Sequence, residues 1–256
     1  MRCLRATRFI EALPEGGSLP AVFEAEDGRS YVTKFRGAAQ GLKVLVAEIV
    51  AGEIARALEL PVPEVVLIHL EPVLAGPELD GVMHDLLAAS TGINVGLEYV
   101  PGALTFAASE DRMVEELLAS RIVWFDAFVM NVDRTARNTN LLLKEDRPIL
   151  IDHGAALYAH FKWEGFLAKS ADPFPQIDQH VLLRRAERLE EADRFARSRL
   201  PDAVVEAVTA LIPADLVSGE ADIQDVRNTY GRFLRERVRA SQTFVKEVHD
   251  VRRRSL

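Results

Sequence analysis

Alternating apolar and polar positions predict strands in the first third of the chain. Two strand-like runs, 21–25 and 29–35, lie on either side of an Asp-Gly turn at 26–28, a combination typical of a β-hairpin. From 44 to 58 apolar residues recur every three or four positions, which predicts an amphipathic helix, and an apolar run over 64–68 predicts a further strand. The first third is therefore predicted to form strands around one helix.

A change of pattern near residue 97 predicts a boundary between two lobes. Proline and glycine divide 70–97 into short pieces without a clear period, and the strand-like run 96–100 ends in a Pro-Gly pair. We therefore predict an N-lobe over 1–97 and a C-lobe over 98–256.

Beyond this boundary the pattern becomes helical. An apolar-periodic segment predicts a long helix over 111–128, and two short apolar runs predict a hairpin over 141–151. About three helices are expected after residue 180. The last is predicted to run without a break from about 222 past 251, because one apolar stripe continues through that segment.

Composition excludes several classes of protein. The 256 residues carry 31 basic and 39 acidic side chains, a net charge of −8 that argues against a dedicated nucleic-acid binder. The apolar fraction of 48% excludes wholesale disorder, and a single cysteine, Cys3, excludes an internal disulfide framework. No stretch has the pattern of a secretory signal or a membrane span. We therefore expect a cytoplasmic globular protein without a nucleic-acid or membrane partner.

The polar segment 131–140 and the hairpin after it hold the residues most suited to chemistry. Asp133 precedes the hairpin, Asp152 follows it, and Asn138 lies five residues after Asp133. This spacing suits phosphoryl transfer from a magnesium-bound nucleotide: Asp133 would accept the proton of the attacking hydroxyl, and Asn138 and Asp152 would supply oxygen ligands to Mg²⁺. Asp126, seven residues before Asp133, would either brace this segment or only cap its helix. Taken alone, the segment fits a surface turn rich in Asp and Asn better than it fits a catalytic loop.

A lysine in the first third changes this balance. Lys34, one of only six lysines, lies in a strand-like run, where its ammonium could meet the phosphates of a nucleotide. Glu48 follows on the predicted helix and could pair with it, although Glu53 on the same helix competes. Strand lysine, helix glutamate, the D-x-x-x-x-N segment and Asp-His-Gly at 152–154 stand in the order of a protein-kinase-like set.

With these motifs in this order, the chain resembles the HipA-like kinases, specifically the compact members that lack the extra N-terminal domain of the family's toxin. The matching pieces, which span about residues 10–160, are Gly16-Gly17-Ser18, Asp27-Gly28, Tyr31-Val32-Thr33-Lys34, Val46-Ala47-Glu48, Leu60-Pro61-Val62-Pro63, Asn131-Val132-Asp133-Arg134, Asn138-Thr139-Asn140 and Ile151-Asp152-His153-Gly154. The resemblance implies an α+β, bilobal protein-kinase-like fold with a strand-rich N-lobe and a helical C-lobe. It also implies ATP-dependent phosphorylation, which in the toxin's case acts on serine in a protein substrate.

The resemblance assigns roles residue by residue. Lys34 would hold the phosphates of ATP, and Glu48 would position Lys34. Asp133 would be the catalytic base, while Asn138 and Asp152 would bind Mg²⁺. ATP and Mg²⁺ are therefore the expected substrate and cofactor.

Two further segments are expected to contact the nucleotide. The turn Gly16-Gly17-Ser18 would bring backbone N–H groups to the phosphates, although it has two glycines rather than a G-x-G-x-x-G loop. The segment Glu98-Tyr99-Val100 would offer backbone groups to adenine as a hinge between the lobes, and an ordinary edge strand is an equal alternative.

Three interpretations of function remain open from the sequence. The first is a kinase acting on Ser or Thr of a protein substrate, with a regulatory protein partner as a further expectation. The second is a small-molecule or lipid kinase on the same core. The third is a catalytically silent nucleotide-binding module. The short glycine loop fits this third interpretation, as does Thr135, which stands where the related lipid-kinase loop often has histidine.

Overall fold

The protein combines a strand-rich N-terminal region with a helical C-terminal region. A computed structural model describes residues 1–13, 19–74, 79, 81–217, 219 and 222–255. Its strands and helices are, in chain order, β1 (Cys3–Ala12), β2 (Ala21–Ala25), β3 (Ser30–Lys34), α1 (Leu42–Ala57), β4 (Val65–Leu70), α2 (Gly81–Ala89), β5 (Gly92–Glu98), β6 (Leu104–Thr105), α3 (Glu116–Val129), β7 (Leu141–Lys144), β8 (Arg147–Leu150), α4 (Leu189–Arg199), α5 (Asp202–Thr209), α6 (Ile223–Arg239) and α7 (Ser241–Ser255). Short 3₁₀ turns occupy much of 158–185. Among these residues no helix is both long and apolar enough to cross a membrane.

The first five strands form one sheet in the order β1-β2-β3-β5-β4. Neighbouring strands are antiparallel, except that β1 and β4 pair in parallel and so close the sheet on itself. The predicted hairpin is present as β2 and β3, and Gly28 in its turn has a φ of +75°, which glycine adopts without strain. Lys34 is the last residue of β3 and pairs with Val95 of β5, so the sheet holds this lysine at a fixed position.

Helix α1 joins the sheet to the C-terminal helices. Gly52 lets the helix approach β4 closely, since a Cβ atom there would lie 2.7 Å from Cγ2 of Val65. Leu45 and Ile49 of α1 are buried in the same apolar core as residues of α3 to α7. The position of α1, and of the Glu48 that it carries, is therefore set from both sides.

The region between β4 and β5 differs from the prediction. It contains helix α2, and β5 begins at Gly92 rather than at residue 96. Glycine obscured the strand because it has low strand propensity, yet the packing requires it: a Cβ atom at Gly96 would lie 2.6 Å from Cγ1 of Ile68. The strand ends at Glu98, so the predicted run to residue 100 was too long.

The predicted long helices also differ in their limits. Helix α3 begins at Glu116, later than predicted, where the side chain of Glu115 caps its first turn. The last predicted helix is in fact two helices, α6 and α7, with the break at Ala240. Leu234 and Val245, on either side of the break, pack in the same core, so the apolar stripe continues through it and the pattern could not show it.

Helix α6 also anchors the C-terminal end of α3. Arg237 is fully buried and donates hydrogen bonds of 2.7 Å to the backbone oxygens of Ala127 and Phe128. These carbonyls belong to the last turn of α3, where the oxygen of Ala127 also accepts a hydrogen bond of 3.4 Å from the N–H of Met130. Burial lowers the pKa of Arg237 to about 10. The end of α3, from which the segment 131–140 departs, is thereby held in place.

Candidate active site

Three charged side chains from separate parts of the chain meet at one point. The Nζ atom of Lys34, at the end of β3, donates to Oε2 of Glu48 on α1 at 2.6 Å and also to Oδ1 of Asp152, which follows β8. Glu53, the competing glutamate, instead accepts a hydrogen bond of 2.9 Å from Arg56. The structure thus brings together Lys34, Glu48 and Asp152, three of the predicted site residues.

Burial and charge set the protonation of this cluster. The side chains of Lys34 and Glu48 are 7% and 0% exposed, whereas that of Asp152 is 42% exposed. Burial alone would lower the pKa of Lys34, but the negative charges of Glu48 and Asp152 outweigh it and raise that pKa. Burial opposes ionisation of Glu48 as well, yet the charge of Lys34 keeps its pKa well below the usual range. Lys34 and Glu48 therefore form an ionised buried pair, and Asp152 is the member open to a ligand.

The Asp-His-Gly backbone is shaped to hold Asp152 against α1. Asp152 itself has a φ of +53°, in the left-handed region. The next N–H group, that of His153, donates to both carboxylate oxygens of Glu48 at 3.1 and 3.0 Å. At Gly154 a Cβ atom would lie 2.7 Å from Cγ1 of Val44, so any other residue at the third position of the motif would have to displace the side chain of Val44.

Asp133 is oriented by three asparagines of its own segment. Its Oδ2 accepts hydrogen bonds from the side-chain amides of Asn138 at 2.8 Å and Asn140 at 3.2 Å. Its backbone N–H donates to Oδ1 of Asn131 at 3.1 Å. Of the three, only Asn138 was predicted to have a role, and the recurrence of asparagine within ten residues is the signal that could have identified the other two.

Asp133 and Asp152 lie close enough to repel each other. Burial raises the pKa of Asp133, hydrogen bonds from Asn140 and Asn138 oppose this rise, and the negative charge of Asp152 adds to it. Since the net effect is a raised pKa, the folded protein holds a proton on Asp133 up to a higher pH than the unfolded chain does. The contribution of Asp133 to stability therefore falls as pH rises above the usual value of 3.8, until the carboxyl group has ionised in the folded state.

We expect Asp133→Asn to stabilise the fold at neutral pH in the absence of divalent cations. The amide keeps an acceptor oxygen but removes a charge that burial and the negative charge of Asp152 both disfavour. The gain should be present at pH 7 and shrink toward pH 4, where the wild-type carboxyl group is increasingly protonated. Urea unfolding at both pH values measures it, with Asp178→Asn, at an exposed position, as the matched control. A difference between variant and wild type that is independent of pH would contradict the electrostatic explanation.

A buried ion-pair network braces the segment 131–140 from beneath. Asp126, near the end of α3, accepts from Nε of Arg134 at 2.6 Å and from Nε2 of His180 at 2.9 Å. Arg134 also donates to the backbone oxygen of Asn140. Burial would raise the pKa of Asp126, but Arg134 and His180 together hold it well below the usual range. Asp126 therefore braces the loop rather than only capping its helix.

Two members of this network, Arg134 and His180, were given no role from the sequence. Arg134 directly follows the predicted base Asp133, and a positive charge at that position is the signal that could have identified it. His180 lies more than forty residues further along the chain, and nothing local marks it as a partner of Asp126. Both position Asp133 through the backbone of the loop.

We expect Arg134→Met to lower the free energy of unfolding by about 3–5 kcal/mol, because it leaves the carboxylate of Asp126 buried without its main cation. Urea unfolding measures the loss. The matched control is Arg239→Met, which breaks the exposed pair with Asp202 and should cost less than about 1 kcal/mol. Equal losses in the two variants would contradict the bracing role. If Arg134→Met does not fold, the double variant with Asp126→Asn should recover part of the stability.

The two remaining predicted segments differ in how far the structure describes them. Gly16, Gly17 and Ser18 lie outside the described residues. The segment 98–100 begins at Glu98, the last residue of β5, whose N–H donates to the backbone oxygen of Glu64. The N–H of Tyr99 donates to the backbone oxygen of Ser30. These two N–H groups are therefore already engaged within the sheet.

Comparison with known proteins identifies the family. A family model described as HipA-like kinase matches residues 6–241. The crystal structure of the Helicobacter pylori proinflammatory kinase CtkA is similar to this chain, with a TM-score of 0.62 and 13% sequence identity over 96% of each chain. At that identity the likeness shows the fold alone, and no curated protein matches the chain. The resemblance seen in the motifs is confirmed, and the chain belongs to the HipA-like kinase family.

Proposed function

We propose that the protein is an ATP- and Mg²⁺-dependent kinase that phosphorylates Ser or Thr residues of a protein substrate. The observation that carries the proposal is the contact of Lys34 with both Glu48 and Asp152, beside a carboxylate, Asp133, whose pKa is raised by burial and by the charge of Asp152. This arrangement holds one cation for phosphates, one carboxylate for a metal and one for a proton.

Lys34 is the proposed contact for the phosphates of ATP. Its ammonium has three donors, of which Glu48 and Asp152 take two, so one remains for a phosphate oxygen.

The end of β5 is the proposed position of adenine. Lys34 pairs with Val95 of β5, and Glu98 ends that strand three residues, or about 10 Å, beyond Val95. Adenine would bind beyond this strand end, where the N–H of Val100 and the neighbouring carbonyls are the candidate groups. We assign the phosphate-covering turn to Gly16-Gly17-Ser18 from the family resemblance.

The side chains fit a magnesium ion. Asp152 offers a partly exposed carboxylate, and the amide nitrogen of Asn138 faces Asp133, which leaves its oxygen for a ligand. The described residues hold no group of three or more His, Cys, Asp or Glu side chains placed to bind a metal ion, and Mg²⁺ at phosphates typically takes only one or two protein ligands. When bound, Mg²⁺ neutralises phosphate charge, and it would also relieve the repulsion between Asp133 and Asp152.

Asp133 is the proposed catalytic base. As the hydroxyl oxygen of the acceptor bonds to the γ-phosphorus of ATP, the bond to ADP breaks and Asp133 accepts the hydroxyl proton. The amides of Asn138 and Asn140 hold the carboxylate toward the acceptor, and the raised pKa of Asp133 improves it as a base. The remaining catalysis is positioning by the braced loop.

The presence of every proposed group favours an active enzyme over a silent module. Lys34, Glu48, Asp133, Asn138 and Asp152 all carry the chemistry that their roles need. The acceptor rests on the family resemblance, and small molecules and lipids are the alternatives that the experiment must separate. A regulatory protein partner remains a prediction.

The function can be tested with ATP labelled at the γ-phosphate. Wild-type protein and Asp133→Asn are incubated with Mg²⁺ and with cell lysate separated into proteins, small molecules and lipids. We expect label on Ser or Thr of protein only, with the wild type and not with the variant. Label in the small-molecule or lipid fraction would overturn the proposed acceptor. No transfer to any fraction, despite ATP binding, would support the silent module.

A further inference from the structure

A cavity of about 600 Å³ lies between the start of α1, the turns at 158–165 and the first half of α6. Its volume is in the range of small-molecule sites in proteins. Most of its wall is apolar, with Leu42 and Val46 from α1, Val226 from α6, and Leu216 and Val217 from the turn before α6. None of the proposed catalytic residues lines it, so it is separate from the candidate active site.

Two apolar side chains at the rim of this cavity are exposed to water. Phe161 is 52% exposed and Trp163 is 36% exposed, and both line the cavity. Tyr230 closes the inner side and is buried. Large aromatic side chains exposed around a concave apolar surface are typical of a binding site, because an occupant would remove them from water.

One positively charged side chain, that of Lys43, lies in this apolar wall. The ammonium of Lys43 donates to the backbone oxygen of His160 and lies 5.3 Å from the ring centroid of Trp163. Within the described part of the chain, no carboxylate forms an ion pair with Lys43. Burial lowers its pKa. The ring of His160 bonds to the hydroxyl group of Tyr230 at 2.8 Å.

The first turn of α1 adds to the positive potential at the same place. Gly41, Leu42 and Lys43 line the cavity, and the helix begins after Gly41 without a side-chain cap or an acidic residue in its first turn. The N–H groups of a helix N-terminus favour an anion. The cavity therefore combines an apolar body with one electropositive end.

We propose that this cavity is a second binding site, which takes a small hydrophobic carboxylic acid. The carboxylate would contact Lys43 and the first turn of α1, and the apolar body would fill the space between Trp163, Val226 and Tyr230. The site is distinct from the proposed nucleotide site and needs no phosphoryl transfer.

An occupant would act on the candidate active site through α1. Val46 lines the cavity two residues before Glu48, and Val44 packs where Gly154 follows Asp152. A ligand that packs on this turn therefore stabilises the helix segment that pairs with Lys34 and contacts the Asp-His-Gly backbone. Hydrogen exchange of the α1 amides should slow when the acid binds, with or without ATP.

Calorimetric titration of the full chain with dodecanoate, below its micelle concentration and without ATP, tests the proposal. We expect saturable binding of one molecule, with dodecanol, which has the same chain but no charge, bound at least tenfold more weakly. Lys43→Met should weaken dodecanoate binding at least tenfold and leave dodecanol binding unchanged. The matched control, Lys246→Met, removes a lysine that pairs with Asp250 on the exposed face of α7 and should leave both affinities unchanged.

A second variant separates the cavity from the surface. Val226→Trp fills the space from α6 and should abolish binding of both dodecanoate and dodecanol. Binding that survives Val226→Trp, equal affinities for the acid and the alcohol, or no saturable binding of dodecanoate would each overturn the proposal. Failure here would leave ATP turnover by the wild type intact, so it is distinguishable from failure of the proposed kinase function.

Discussion

Asparagine in place of Asp133 is expected to lower kcat for phosphoryl transfer by about 10²–10⁴-fold, the usual contribution of a positioned general base. The amide cannot accept the hydroxyl proton of the acceptor. It does keep an oxygen near Asn138 and Asn140, so the loop should retain its shape. Binding of ATP should persist, because Lys34 and Asp152 are unchanged. Transfer of labelled phosphate gives kcat, and equilibrium titration with ATP gives the affinity.

The control for this variant is Asp178→Asn, which makes the same chemical change at an exposed position outside the site and should keep full activity. Full activity in Asp133→Asn would remove the base role assigned to Asp133. Asp133→Asn is also predicted to gain stability in the absence of divalent cations, so measuring its stability shows whether a loss of activity comes from unfolding. An inactive protein that is also more stable than the wild type cannot owe its inactivity to unfolding.

The second large effect is expected at Asp152. Wild-type protein with ATP at 100 times its Kd should gain about 2.7 kcal/mol of stability. We expect Asp152→Ala to lose the part of this gain that depends on Mg²⁺, because it removes the exposed carboxylate beside Lys34. Thermal unfolding with ATP, with and without Mg²⁺, measures the loss.

The backbone at Asp152 calls for a second variant. Its φ of +53° is costly for alanine but tolerated by asparagine, so Asp152→Asn removes the charge with less backbone strain. Both variants should lose the Mg²⁺-dependent gain, and a loss in Asp152→Ala alone would point to strain instead. A Mg²⁺-dependent gain that survives in both would remove Asp152 from the proposed metal site.

Residues that lie near one another in sequence allowed the family to be predicted, together with the elements that carry the candidate site residues. The strand that carries Lys34, the helix that carries Glu48 and the hairpin between Asp133 and Asp152 each follow from local periodicity and turn chemistry. Their order along the chain carried the resemblance to HipA-like kinases, which the family match confirms.

The limits of the elements were harder to predict where packing overrides local preference. Gly96 weakens the strand signal of β5, yet the side chain of Ile68 leaves no room for a Cβ atom there. The break at Ala240 leaves no trace in the apolar stripe, because α6 and α7 bury against the same core. In both cases the deciding contact comes from a residue distant in sequence or from the shared core.

By itself the sequence determined which side chains can do chemistry, and it determined the helix and strand periods that carry them. The tertiary structure decided which partner each charge takes. It pairs Lys34 with Glu48, as the family resemblance implied, rather than with Glu53, and only the structure shows Arg134 and His180 as the partners of Asp126. The physical reason is that periodicity is a local property of the chain. The pairing of a buried charge depends on which side chains folding brings within about 3 Å, and desolvation makes an unpaired alternative costly.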